Sequence, residues 1–331
     1  MTRIYNWAIL GAGNIARKFA ADLRLLPNAR LYAVGSRSNE RAARFATELG
    51  IPHSYGSYTT LAGDPDIDIV YIAARHPGHY PCSLLCLDHG KHVLCEKPVA
   101  INGAQFEKMS FRARERGLFF MEALWTRFIP SFIKFRELVN EGKIGVVRII
   151  EADFCLNIPF NPESRIYQPS LGGGSLLDIG IYPVFCALEL GSAITGVSAS
   201  ATLSRDDIDT FCSINFTHEQ GERSLLCSTI AAPGRNEALI HGSNGMLRLN
   251  RWWHTPTSLD FIPPDGDIEH FFFEEPGNGY QYEAAEVMRC LDAGKTESDL
   301  WPVEKSRRLI GLLDTIRAQA GIRYPTEVEA V

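Results

Sequence analysis

The sequence predicts an α/β protein in which a doubly wound parallel sheet is followed by an α+β portion with an open, mostly antiparallel sheet. Three observations point there. From the N-terminus to about residue 120, short β-branched runs alternate with amphipathic stretches, the habit of parallel strands joined by crossover helices. A glycine turn, GAGNIA at 11–16, stands between the first such run and the first amphipathic stretch. Between residues 197 and 273 short strands alternate with turn signals such as EQGE (219–222) and GSNG (242–245), which suits antiparallel pairing.

Taken in order, the first region reads as strand 7–10, helix 16–26, strand 31–34, helix 39–49, strand 69–73, helix 80–88, strand 92–95, helix 104–116 and strand 118–121. After about residue 123 the texture changes. A helix at 130–141 leads into a strand at 146–154, a Pro-rich loop, three glycines at 172–174 and an apolar helical segment ending near 190; helices at 282–291 and 303–320 close the chain. At 331 residues the chain exceeds one ordinary core, so two domains are expected, 1–122 for dinucleotide binding and 123–331 for substrate binding and dimerisation.

Composition narrows the partners. The net charge of −6 and the lack of a long Lys/Arg block exclude the electrostatic footprint of nucleic-acid binding. Eight cysteines (82, 86, 95, 155, 186, 212, 227 and 290) form no CxxC pair, so they read as reduced core residues of a cytoplasmic protein, and no metal framework is expected. The opening MTRIYNWAILGAGNIA is better read as strand, turn and helix than as a secretion signal. No apolar stretch is expected to span a membrane.

GAGNIA lies where a dinucleotide fingerprint requires it, after a strand and opening a helix. Gly11 permits the turn and Gly13 lets backbone approach a pyrophosphate. Asn14 and Ile15 begin a helix whose N-terminus favours an anion, and Ala16 keeps helix packing close. The tip of the second strand, GSRSNER at 35–41, carries no acid for a ribose hydroxyl. Ser36, Arg37 and Arg41 instead suit a 2′-phosphate, so NADP is expected, with NAD possible. In such sheets ligands sit at the carboxyl ends of strands, where Ala73, His76, Glu96 and Lys97 fall.

LGGGSLLDIGIYPVF at 171–185 is the second dense stretch. Ser175 to Asp178 has the form of a capping box. In a regular helix Asp178 and Tyr182 would share one face, although Pro183 invites a kink. A carboxylate, a phenol and an ammonium acting together would handle the proton of an alcohol or carbonyl, the ammonium favouring the phenolate.

GAGNIA, CEKP after strand 92–95, and GGGSLLDIGIY together resemble the glucose–fructose oxidoreductase/inositol dehydrogenase superfamily along the whole chain. HPGH (76–79), LCEKP (94–98), MEALWTRFIP (121–130) and a Tyr at 182, where His is commoner, are most similar to the dimeric dihydrodiol dehydrogenases, also called NADP-dependent D-xylose dehydrogenases. The resemblance implies that Lys97 reaches the substrate hydroxyl and nicotinamide region, followed by a cis proline. Tyr182 would be the catalytic acid/base and Asp178 the acid that orients substrate or base. It implies that Trp125, Arg127 and Phe154 line the mouth near the nicotinamide, with Trp252 or Trp253 as a further wall, and that the protein is a homodimer. Arg75 departs from the family habit of a smaller or neutral residue before HPGH. The expected activity is hydride transfer to or from a secondary alcohol of a cyclic diol or sugar. The alternatives are a reductase of keto-sugars, anhydro-sugars or inososes, and a non-catalytic NADP- or sugar-sensing regulator on the same scaffold.

Overall fold

In the computed structural model, which describes residues 3–324, the elements run β1 (Tyr5–Leu10), α1 (Asn14–Leu23), β2 (Ala29–Gly35), α2 (Asn39–Leu49), β3 (His53–Tyr55), α3 (Tyr58–Ala62), β4 (Ile69–Ile72), α4 (His76–Asp88), β5 (His92–Glu96), α5 (Gly103–Arg116) and β6 (Phe120–Ala123). Then follow α6 (Pro130–Asn140), β7 (Val147–Cys155), α7 (Ile181–Leu190), β8 (Ile194–Leu203), β9 (Asp209–His218), β10 (Arg223–Thr229), β11 (Ala238–Gly242), β12 (Gly245–Leu249), β13 (Leu259–Ile262), β14 (Glu269–Phe271), α8 (Tyr280–Asp292) and α9 (Val303–Ala320). Residues 1–2 and 325–331, the outer ends of the two expected domains, lie outside the described residues.

By packing, the described chain divides into two compact units, 3–125 with 276–307, and 126–275 with 308–324. The expected boundary at 122/123 follows chain order, whereas packing assigns 276–307 to the first unit. The reason is polar as much as apolar. Asp22 accepts hydrogen bonds from the backbone N–H groups of Asn278 and Tyr280, Tyr5 donates to Asp292 at 2.8 Å, and the Phe120 N–H donates to the Thr296 carbonyl.

The first unit holds a six-stranded parallel sheet in the order β3-β2-β1-β4-β5-β6. Strand order reverses between β1 and β4, so the turn after β1 and the end of β4 face the point where such sheets take ligands. The β1, β4 and β5 strands are almost wholly buried, which is why they read as continuous apolar runs. Helix α4 starts at His76, four residues before the expected position. HPGHYP has the composition of a loop, but Pro77 stands in the first turn, whose N–H groups lack helical partners, and the helix carries Pro81 inside it at the loss of one i→i−4 bond. The short β3 and α3 gave no periodic signal of their own.

The second unit carries an eight-stranded sheet, β14-β13-β12-β11-β7-β10-β9-β8, antiparallel throughout except for the β7–β10 pair. Alternation on β9 puts Cys212, Ile214 and Phe216 inside and leaves Phe211 and Asn215 exposed. One correction concerns membranes. The segment Pro169–Leu190 has the length and mean hydropathy of a span, 22 residues at 1.5. Its most apolar window is 89% buried in the protein, because this segment packs on β7 and β10 as the core layer of the unit.

Glu283, in the first turn of α8, is fully buried, and neither carboxyl oxygen has a hydrogen-bond partner among the described residues. Burial, reinforced by the nearby Glu96 and Asp22, pushes its carboxyl well above the ordinary glutamate range. An acid whose folded-state affinity for the proton is raised contributes stability below about pH 4.3 that is lost progressively as pH rises. Glu283→Gln should therefore flatten the alkaline side of the stability profile, with a melting temperature above wild type at pH 8 and a difference that shrinks towards pH 4. Parallel wild-type and variant melting curves from pH 4 to 9 would refute a protonated Glu283.

Candidate active site

The glycine turn is fixed by its neighbours. Gly11 has φ of 112°, and a Cβ there would lie 2.5 Å from the carbonyl oxygen of Ala73 at the end of β4. A Cβ on Gly13 would meet no atom within 4 Å, so this backbone borders open space. Gly13 is also the N-cap of α1, where no side chain caps the helix and no acid stands in the first turn. Asn14 and Ile15 thus open a helix end suited to an anion.

Ser36 is buried just beyond β2, and Ser38 caps α2 by accepting from the Arg41 N–H at 3.2 Å. Arg41 donates to the Ala12 carbonyl at 3.1 Å, joining α2 to the glycine turn, while Arg37 is exposed. A cavity of about 390 Å³ is lined by Ala12, Gly13, Asn14, Arg17, Arg41, Arg44 and Phe45. Three guanidinium groups beside an uncapped helix N-terminus fit a dinucleotide that carries an additional phosphate. Arg17 and Arg44 were not sequence candidates. Arg44 follows Arg41 by one helical turn, a signal that was present, whereas Arg17 is recruited through Glu48 at 2.5 Å and the Phe45 ring.

The turn bearing Lys97 is braced from behind. The Lys97–Pro98 bond is cis. Glu96 is buried, accepting from the Tyr71 hydroxyl and, at 3.1 Å, from the Lys97 N–H. The ring nitrogens of His79 stand 2.7 Å from the Pro98 carbonyl and 3.0 Å from the Ala74 carbonyl. Glu122 accepts from the Val99 N–H at 3.0 Å. His76 is buried with its ring 5.7 Å from that of His79, and Ala73 is buried beside it at the strand end. Arg75 is exposed and supplies the N-cap position of α4 through its backbone.

In the second unit the glycine run folds against its own chain. A Cβ on Gly173 would approach the carbonyl oxygens of Arg165, Ile166 and Gln168 within 3 Å, and one on Gly174, at φ 111°, would lie 2.0 Å from Asp209 Oδ1. The expected capping box is not formed. Ser175 Oγ donates to Asp209 at 3.0 Å, the Leu176 N–H donates to the same oxygen at 2.6 Å, and Asp178 pairs through both oxygens with Arg165 Nη2 at 3.0 Å. Residues Leu176–Gly180 form a π-helical turn that passes into α7 at Ile181, so the plain i,i+4 relation expected between Asp178 and Tyr182 is widened.

Tyr182 is buried among aromatic rings. Its ring lies 5.5 Å from Phe154, 5.0 Å from His254 and 6.4 Å from Trp253. Phe154 touches His254 at 4.1 Å and Trp252 at 6.4 Å. Of the two candidate tryptophans, Trp253 is fully buried with Nε1 donating to the Asp153 carbonyl, whereas Trp252 is 39% exposed. Arg127 is buried in an ion pair with Glu189 at 3.0 Å, shared with Arg136. Glu189 lies seven residues after Tyr182 along α7, about 10 Å away at helical rise. In the first unit, Trp125 stacks on Tyr280 at 4.3 Å. Sequence reasoning missed Arg165, Asp209 and His254, because each meets the site by tertiary packing and none stands in the motifs.

A doubly wound sheet with a glycine turn after its first strand, joined in one chain to a second sheet on which the segment bearing Asp178 and Tyr182 packs, defines a dinucleotide-dependent oxidoreductase scaffold. The chain belongs to the GFO/IDH/MocA oxidoreductase family: residues 5–124 match its NAD-binding Rossmann domain and residues 132–248 its C-terminal domain. It is 36% identical over 328 residues to trans-1,2-dihydrobenzene-1,2-diol dehydrogenase of Xenopus tropicalis, covering 96% of this chain and 99% of the relative. The corresponding protein of Danio rerio is 37% identical, covering 96% and 97%. Among solved structures, a 3-ketoreductase of Actinomadura kijaniata with NADP and TDP-benzene matches at TM-score 0.87 and 29% identity, covering 96% of this chain and 98% of its own. An aldose-aldose oxidoreductase of Caulobacter crescentus with glycerol matches at 0.88 and 25%, with the same coverage.

The glycine run makes a direct prediction. Gly174→Ala combines an unfavourable backbone conformation with a collision at Asp209, so it should cost more than about 3 kcal/mol of stability and displace the segment bearing Tyr182. Denaturant unfolding within about 0.5 kcal/mol of wild type would show that the segment is not pinned there.

Proposed function

We propose that this protein is an NADP-dependent dehydrogenase that oxidises a secondary alcohol on a cyclic diol or sugar and reduces the corresponding carbonyl. The observation that carries the reading is Tyr182, a buried phenol enclosed by Phe154 and His254, in a chain whose dihydrodiol dehydrogenase relatives match it end to end. When bound, the nicotinamide accepts or supplies the hydride. In oxidation Tyr182 takes the hydroxyl proton, and in reduction it returns it. Lys97, on its braced turn, holds the substrate oxygen. Asp178, oriented by Arg165, directs the substrate or the base. Trp125, Phe154 and Trp252 wall the substrate. Gly11, Gly13, Asn14, Ile15, Ser36, Arg37 and Arg41 hold the dinucleotide, with Ala73, His76 and Glu96 shaping the strand ends around it.

The domain of residues 1–122 serves the dinucleotide, and that of residues 123–331 serves substrate and dimer formation. The outer face of the second sheet leaves Phe211 and Leu225 exposed on the adjacent strands β9 and β10, which supports a homodimer packed on that face. All eight cysteines are free thiols, which supports the cytoplasm as its compartment. The 3-ketoreductase and aldose-aldose oxidoreductase likenesses favour one second reading, reduction of a keto-sugar by the same residues.

The test is turnover of trans-dihydrodiols, aldoses and keto-sugars with NADP(H) and NAD(H), followed by absorbance of the reduced nicotinamide. Tyr182→Phe and Lys97→Met should each lower kcat by two or more orders of magnitude while NADPH binding remains measurable. Near-normal turnover in either variant would defeat the assignment. Arg37→Ala and Arg41→Ala should each raise KM for NADP about tenfold and leave KM for NAD nearly unchanged. Equal effects on both cofactors would mean that neither arginine reads the 2′-phosphate.

A further inference from the structure

We propose that His254 is a specificity-determining residue that selects polyhydroxylated rings, sugars in particular, over diols on an otherwise apolar ring; this rests on Tyr182 marking the substrate position. The rings around Tyr182 are those of Phe154, His254 and Trp253, whose indole N–H is already given to the Asp153 carbonyl, and Trp252 packs behind them on Phe154 and His254 at 6.4 and 6.2 Å. Phe154 offers no hydrogen-bonding atom and Trp252 a single donor. His254 alone in this wall carries a ring with both a donor and an acceptor nitrogen in its neutral form.

The ring is presented by a clamped backbone. The buried Thr126 hydroxyl donates to the His254 carbonyl at 2.7 Å. One residue earlier, Trp253 is anchored by Nε1 to the Asp153 carbonyl at 3.0 Å. Trp252, at φ 65°, donates its N–H to the Asn236 carbonyl, and its own carbonyl accepts from the Thr255 N–H at 2.7 Å. Four anchors within four residues fix the backbone from which the half-buried imidazole projects, and the ring itself packs on Phe154 at 4.1 Å and Tyr182 at 5.0 Å.

The chemistry follows from what the two substrate classes bury. A dihydrodiol delivers one hydroxyl to the base and has a single neighbouring hydroxyl, and the rest of its ring is hydrocarbon. An aldopyranose carries hydroxyls around the ring. Against a wall of hydrocarbon those groups would lose water without replacement, a penalty that disfavours the sugar. A ring nitrogen that donates to or accepts from one of them removes that penalty, and a site built to bond a hydroxyl discriminates against ligands that lack it.

Binding tests this without turnover. Affinities of the NADP-loaded protein for D-xylose and for trans-1,2-cyclohexanediol are measured by titration calorimetry for wild type, His254→Phe and His254→Asn, with thermal melts confirming folding. His254→Phe should weaken D-xylose about tenfold or more and leave the diol within about twofold. His254→Asn, which keeps a donor and an acceptor, should fall between. An equal change for both ligands, no change for either, or a wild type that does not bind D-xylose overturns the proposal. Loss of turnover alone would strike the dehydrogenase reading and leave this one standing.

Discussion

One buried carboxylate, that of Glu122, holds the turn on which Lys97 stands. It receives the Val99 N–H on one oxygen and the Ser306 hydroxyl and Trp301 indole N–H on the other, at 3.0, 2.6 and 3.4 Å. Burial pushes its carboxyl up, and these donors, with the charge of Lys97, draw it back down. Removing the acid would strand three donors in a dry interior, at about 1–3 kcal/mol each. The same contacts explain why residues 276–307 pack with the first unit: the chain returns to complete the polar shell behind the turn bearing Lys97.

The second unit repeats the device with different residues. Asp209, at the start of β9, gathers Ser175, the Leu176 N–H and the Tyr324 hydroxyl. Burial raises its carboxyl to about 6, and those donors oppose the rise. The segment so held continues through the π turn into Tyr182, so its entry is set by a charge-assisted bond rather than by an N-cap of its own. Both candidate catalytic side chains therefore stand on segments whose shape is dictated by a buried acid. Hydrophobic packing alone tolerates small slides of one element over another; a hydrogen-bonded carboxylate does not.

How much of this was legible depends on how local each signal is. GAGNIA could be read because strand, turn and helix are adjacent in sequence and each glycine has a stated steric reason. The antiparallel habit between residues 197 and 273 was visible from the turn signals that punctuate it, such as EQGE and GSNG. HPGHYP misled because proline count outweighs proline position in a sequence read by composition, and α4 begins inside it. The apolar run at 169–190 shows the converse, since membrane-like hydropathy and a core layer cannot be told apart without knowing what packs on it. Asp178 looked like half of a capping box until Arg165, thirteen residues upstream, was placed against it. Asp209, Glu283 and His254 gave no sequence signal, and Glu122 stood in MEALWTRFIP without its role being legible, because a buried acid or a half-buried imidazole looks the same in the chain as a surface one.

The braces also separate chemistry from selectivity. Tyr182 is positioned through Asp209 and the glycine run, whereas the loop carrying Trp252 and His254 is positioned through Thr126, Asn236 and Asp153. These two sets share no residue. The loop meets the phenol through ring contacts alone, whereas the segment bearing Tyr182 takes its backbone path from Asp209. Scaffolds with this property keep one reaction while their loops explore substrates. For this chain the consequence is specific: the segment bearing Tyr182 and the loop bearing Trp252 and His254 are each held by bonds of their own.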